Sequence, residues 1–183
     1  MTKYIRKLKS QAIWKKNLLT LNAEEILDKI PSDVFSKCME SDQNKLSIWK
    51  VDGDSWDDYG DVIATIVSGS DGPSKTDLVL LDDTILTGID IENIRGVSQA
   101  SDTMNDLHYD LYNLTHFKIG QIAKSIGLHL AQDQIWENNK TTKPKDCYFK
   151  RFTEKELIKI MRVALTKGII KKEDLKVRWQ TKC

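Results

Sequence analysis

The stretch "FKIGQIAKSIGLHLAQ", residues 117–132, has two readings, and the choice between them decides the fold. Ala123 and Gly127 are four apart and flanked by Ile122, Ile126 and Leu128, the opening of a helix–turn–helix. At about 100° per residue, however, Ile119, Ile122, Ala123, Ile126 and Leu130 share an arc of about 100°. Lys118, Gln121, Lys124, Ser125 and His129 fall outside that arc, and Thr115 stands where an N-cap belongs. A DNA-reading second helix would start near His129 and need apolar anchors where Asp133 and Trp136 stand. It would also need cations or amides facing bases and phosphates, yet "HLAQDQIWENN" carries two acids and no Lys or Arg. One continuous helix is therefore expected, since a glycine inside a helix costs only about 1 kcal/mol.

Around this helix the periodicity alternates between two kinds. "YIRKL" near the start, "KLSIWKVD" (45–52) and "TDLVLLDD" (76–83) have strand character. "DLHYDLYNL" (106–114) alternates, with Leu107, Tyr109 and Leu111 on one side and His108, Asp110 and Tyr112 on a solvated side. "NAEEILDKI" is a short helix that Asn22 starts and Pro31 stops. In "DSWDDYGDVIATIVSGSDG" Trp56, Tyr59, Ile63, Ile66 and Val67 recur at helical spacing, Ser55 with Asp58 resembles a capping box, and Gly69 is the exit. "FTEKELIKIMRVALTKG" has a Thr153/Glu156 capping box, a face of Leu157, Ile160, Met161 and Ala164, and a closing Gly168. Ile158, Val163 and Leu165 widen its apolar arc, so burial on more than one side is expected. The segment between Thr84 and Asp102, with Gly88 and Gly96, has no decisive period.

The expected fold class is α+β: a single domain over 1–183, with a small central sheet of three to five strands packed with helices and a helical C-terminal part. A helical subdomain over 151–183, after a basic surface loop at 137–150, is the one subdivision the composition permits. At 183 residues, with 40% hydrophobic and 30% charged side chains, the chain can bury a full core. No run approaches the roughly 20 apolar residues of a membrane span, and no secretory h-region follows the basic start. Cys38, Cys147 and Cys183 are odd in number and far apart, so reduced thiols in a cytoplasm of bacterial style are expected.

The net charge of +1 hides a separation. Between Glu40 and Asp110 there are 16 acidic and 4 basic residues, whereas Lys140 to Lys182 holds 14 basic and 5 acidic ones. Residues 1–20 add six basic side chains and no acid. Such poles bear on association and steering, and serve an outside partner, a second copy in a homodimer, or each other within the domain.

Catalytic motifs fail on inspection. "DGDSWDDYG" (52–60) has Trp56 at the fifth place of a calcium loop, Asp57 at the sixth and Ile63 at the twelfth. "GSDGPSK" (69–75) leaves a helix and enters a strand, the reverse of a phosphate loop. No serine or cysteine stands in a nucleophile elbow, and no cofactor or metal is expected. His108 and Asp110, on one strand face, are the one pair that fits acid–base work. The expectation is a non-catalytic accessory protein of the kind found in bacterial toxin-neutralising or phage-defence clusters, docking another protein through its acidic face at Asp54, Asp57, Asp58 and Asp61. The alternative is a nucleic-acid binder using Lys140, Lys143, Lys145, Lys150 and Arg151, interleaved with Tyr148 and Phe149. An enzyme with its site at His108 and Asp110 is third.

Overall fold

The computed structural model describes residues 1–9, 14, 18, 21–39, 45–93, 102–144 and 146–183. Six strands form one antiparallel sheet: β1 (Lys3–Leu8), β2 (Leu46–Val51), β3 (Thr76–Asp82), β4 (Asp90–Asn93), β5 (His108–Tyr112) and β6 (Phe149–Phe152), in the order β4-β5-β2-β1-β3-β6. The α+β class holds, and the sheet exceeds the expected three to five strands. The additional strand β6 straddles the end of the stretch read as a basic loop (137–150) and the start of the part read as helical. Four residues pairing with β3 along one edge are too few to impose an alternation that a sequence window detects.

The register sorts side chains onto two covered faces. Ile5 stands between Trp49 and Leu80, which places all three on the front face. Tyr4, Ile48, Val79 and Leu81 point to the back. Helices α1 (Glu25–Lys29) and α3 (His116–Asn138) pack against the back face. Helices α2 (Gly60–Ser68), α4 (Glu154–Thr166) and α5 (Val177–Lys182) pack against the front. All seven residues of β3 are buried because both its faces are covered. Its continuous apolar run is therefore a mark of depth rather than of parallel pairing.

Helix α3 passes through Gly127 without a break and continues to Asn138, with Ile122, Ala123, Ile126 and Leu130 buried. Thr115 caps it, its hydroxyl accepting from the Lys118 amide at 3.3 Å. The glycine has a packing reason. A Cβ at position 127 would lie 3.0 Å from Ile30 Cδ1 and 3.1 Å from Ile26 Cγ1, so its absence lets α1 approach α3. Asp133, at an anchor place that seemed to have the wrong chemistry, is almost fully buried.

Two local expectations are corrected. Asp58 accepts from the Ser55 amide and hydroxyl and from the Asp54 amide, but this knot closes a turn before α2, which starts at Gly60. Helix α4 keeps its capping box and its Gly168 exit, yet it is buried along one side only, and Val163 is 47% exposed. Residues 151–183 contribute Phe152, Leu157, Met161 and Trp179 to the same front core as Trp49, Trp56 and Leu80.

Candidate functional site

The acidic middle and the basic C-terminal third meet on the front of the molecule through Lys150 and Lys167, and on the back through Arg151, since Asp77 shares its strand face with Val79. Lys167 holds Asp61 at 3.0 Å, and Lys150 lies 4.0 Å from Asp57 and over the Phe152 ring. Arg151 grips Asp77 with two hydrogen bonds of 2.8 and 3.1 Å, a fork-to-carboxylate geometry. Partners 74 to 106 residues apart are thus complementary within the chain. Asp58 is committed to the Ser55 turn, whose three hydrogen bonds hold its carboxyl below the usual range. Asp54 and Asp57 face solvent, and Asp57 has a side chain 89% exposed.

Between the 56–61 segment and α4 these charges border a groove of about 420 Å³. Trp56, Phe152, Ile160 and Val163 line it; Asp57, Asp58 and Asp61 form one lip, and Lys159 and Lys167, with the capping-box Glu156 beside them on α4, the other. The sequence marked the acidic lip. It did not mark Ile160 and Val163 as surface, since a residue's place in the apolar arc of a helix does not say where a neighbour stops covering it.

The basic loop is tied back onto the fold. Lys143 lies 2.6 Å from Asp133 and 3.0 Å from Glu137, so its ammonium serves α3 rather than a phosphate. Burial lowers the Lys143 pKa, but the hydrogen bonds to Asp133 and Glu137 win and raise it. Lys140 sits at φ 53° just past α3, where the amides of Lys140 and Thr141 bond back to the Glu137 and Trp136 carbonyls and turn the chain over the helix end. Lys145 lies outside the described residues. The four described candidate cations therefore do not form one open patch: Lys143 and Arg151 are engaged, Lys150 leans into the groove, and Lys140 is exposed.

Lys143→Ala leaves the Asp133 carboxylate buried with less compensation. The expected loss is about 2 kcal/mol, below the ~3–5 of a fully buried pair, because Lys143 is 35% exposed and water can enter in its place. Urea unfolding measures this. A loss under ~0.5 kcal/mol would show that Asp133 does not depend on Lys143.

His108 and Asp110 are buried, not on a solvated face. The His108 ring stacks on Trp49 at 4.2 Å and its Nε2 is hydrogen-bonded to the Ser47 hydroxyl on β2. Asp110 lies 3.9 Å from Lys45, which also holds Glu92 at 3.3 Å. Burial lowers the His108 pKa, with Asp110 opposing, and burial raises that of Asp110, with His108 and Lys45 opposing. A neutral imidazole against a hydroxyl could take its proton. Ser47 had no signal in the sequence, because only the β2–β5 register brings it to His108. Cys38 and Cys147 are buried thiols; burial pushes Cys147 up, away from the thiolate form.

Among the described residues no group of three or more His, Cys, Asp or Glu is placed to hold a metal ion. No helix among them is long and apolar enough to cross a membrane. Fold and groove together define a six-stranded antiparallel α+β domain with helices on both faces. No family model, curated protein or solved structure matches this chain.

Proposed function

We propose that this chain is a non-catalytic interaction protein that docks a partner protein in the groove between the 56–61 segment and α4. The observation that carries this reading is a strip of apolar side chains between an acidic and a basic lip. A protein segment presents apolar anchors with charges of both signs, and three carboxylates on one lip repel a polyanion from this place. The pairs across the lips are exposed, so each contributes at most about 1 kcal/mol and yields readily to a partner's charges. An accessory or neutralising role, in a toxin-neutralising or phage-defence setting, fits such a surface.

The test is capture of the partner from the native host, followed by titration of the purified pair. Val163→Glu is expected to weaken binding at least tenfold with an unchanged melting temperature, because it puts a charge on the apolar strip. Asp54→Lys with Asp57→Lys is expected mainly to slow association with a basic partner and to reduce its salt dependence. Unaltered affinity and rate in both variants would remove the groove from consideration.

A further inference from the structure

We infer that the outer surface of the C-terminal segment binds duplex nucleic acid through its phosphates, with residues other than those the basic loop suggested. Lys155, Lys159 and Arg162 recur along α4 within about 60° of one another, on the side opposite Leu157, Met161 and Ala164. All three are exposed. Beyond the helix end Lys171 and Lys172 join Arg162 around a shallow concavity of about 630 Å³, with Glu173 as the carboxylate at its edge. Among the described residues none of these five cations has a carboxylate within 4.0 Å, in contrast to Lys143, Arg151 and Lys167. The carboxylates of α4 are otherwise engaged: Glu156 closes the capping box and Glu154 lies 3.6 Å from Lys182. Arg162 is held in place by a 2.9 Å hydrogen bond to the Lys182 carbonyl.

Five cations without a carboxylate partner along α4 and the concavity beyond its end need a dense row of anions, and duplex DNA offers one charge per roughly 1.7 Å of axis. A helix about 10–12 Å across also matches a major groove about 12 Å wide. Leu157, Met161 and Ala164 of α4 are buried and the exposed Val163 lines the groove, so the cationic side itself offers no apolar face to insert into a lipid surface. Trp179, the aromatic residue of α5, is fully buried, so single-stranded bases find no stacking platform on that helix. Lys159 alone is shared with the lip of the groove; Lys155, Arg162, Lys171 and Lys172 do not line it.

Fluorescence anisotropy of a mixed-sequence duplex of about 20 base pairs, from about 50 to 200 mM salt, tests the inference. Five phosphate contacts predict a slope of log K against log salt near −4.5, at about 0.9 per contact. Alanine at Lys155, Lys159, Lys171 and Lys172 together is expected to reduce that slope by about 3.6 while leaving Arg162 and its structural hydrogen bond untouched. Lys140→Ala is expected to leave it unchanged. Absence of binding at the lower salt overturns the inference, and so does a slope indifferent to the four alanines in a folded variant. Equal salt-sensitive binding to phosphatidylserine vesicles would assign the surface to anionic lipid instead.

Discussion

Ile126→Ala is expected to lower the unfolding free energy by about 4 kcal/mol, within the ~2–5 range for Ile-to-Ala in a core. Ile126 has no accessible surface and belongs to the back-face cluster. A Cβ at the neighbouring Gly127 would lie 3.0 Å from Ile30 and 3.1 Å from Ile26, so the hole opens beside a close approach of α1 to α3. Close packing on that side limits collapse, which keeps the cavity cost high. Lys124→Ala, on the outward side of the same helix, is expected to stay within about 0.5 kcal/mol. Urea or thermal unfolding of the two variants decides the matter. Equal small effects would mean that α3 is not seated on the sheet as described, and would falsify the continuous-helix reading on which the fold rests.

The second large effect is a dependence on pH carried by His129. Its ring stacks on Tyr148 at 4.3 Å, and Nε2 is buried without a hydrogen-bond partner among the described residues. Burial drives its pKa down to about 4, with the Asp82 charge opposing. Tyr148, which faces it, is pushed up to about 12 by burial and by donating to Asp82 at 2.8 Å. Asp82 itself is raised by burial, but hydrogen bonds from Thr84, Tyr148 and the Ile85 and Thr84 amides outweigh this and hold it low.

For His129 the folded pKa lies below the unfolded value of about 6.5. Its contribution is therefore fully present above 6.5 and is lost as pH falls towards 4, because the unfolded chain takes up the proton first. The amount is about 3 kcal/mol at roughly 1.4 per unit. His129→Phe keeps a ring over Tyr148 and removes the titration. The stability difference between protein and variant, measured at pH 7, 5.5 and 4, should change by that amount. Parallel curves would mean that the imidazole is solvated. Because the comparison is a difference, losses from Asp58 and Glu156, both held low by hydrogen bonds, cancel.

Much of this architecture is legible in the sequence. Thr115, Thr153, Glu156 and Gly168 marked helix ends that the structure keeps, since caps and exits depend on atoms within one turn of each other. The run of residues 76–83 and the alternation of 106–114 marked strands for the same local reason. Local order could not say what covers a surface. His108 and Asp110 have the alternation of a solvated face but lie buried beside Trp49 and Ser47, and Val163 has the character of core but stands open. The charge poles were visible as composition, yet three contacts decide their meaning: Asp61 with Lys167, Asp77 with Arg151, and Asp133 with Lys143. Helical and strand periods are set by backbone geometry over a few residues, so the sequence by itself determined the longer elements, but not the four-residue strands β4 and β6. Burial and charge pairing depend on which distant segment arrives opposite, and in this protein only the closing of the six-stranded sheet and its two helical layers decided that.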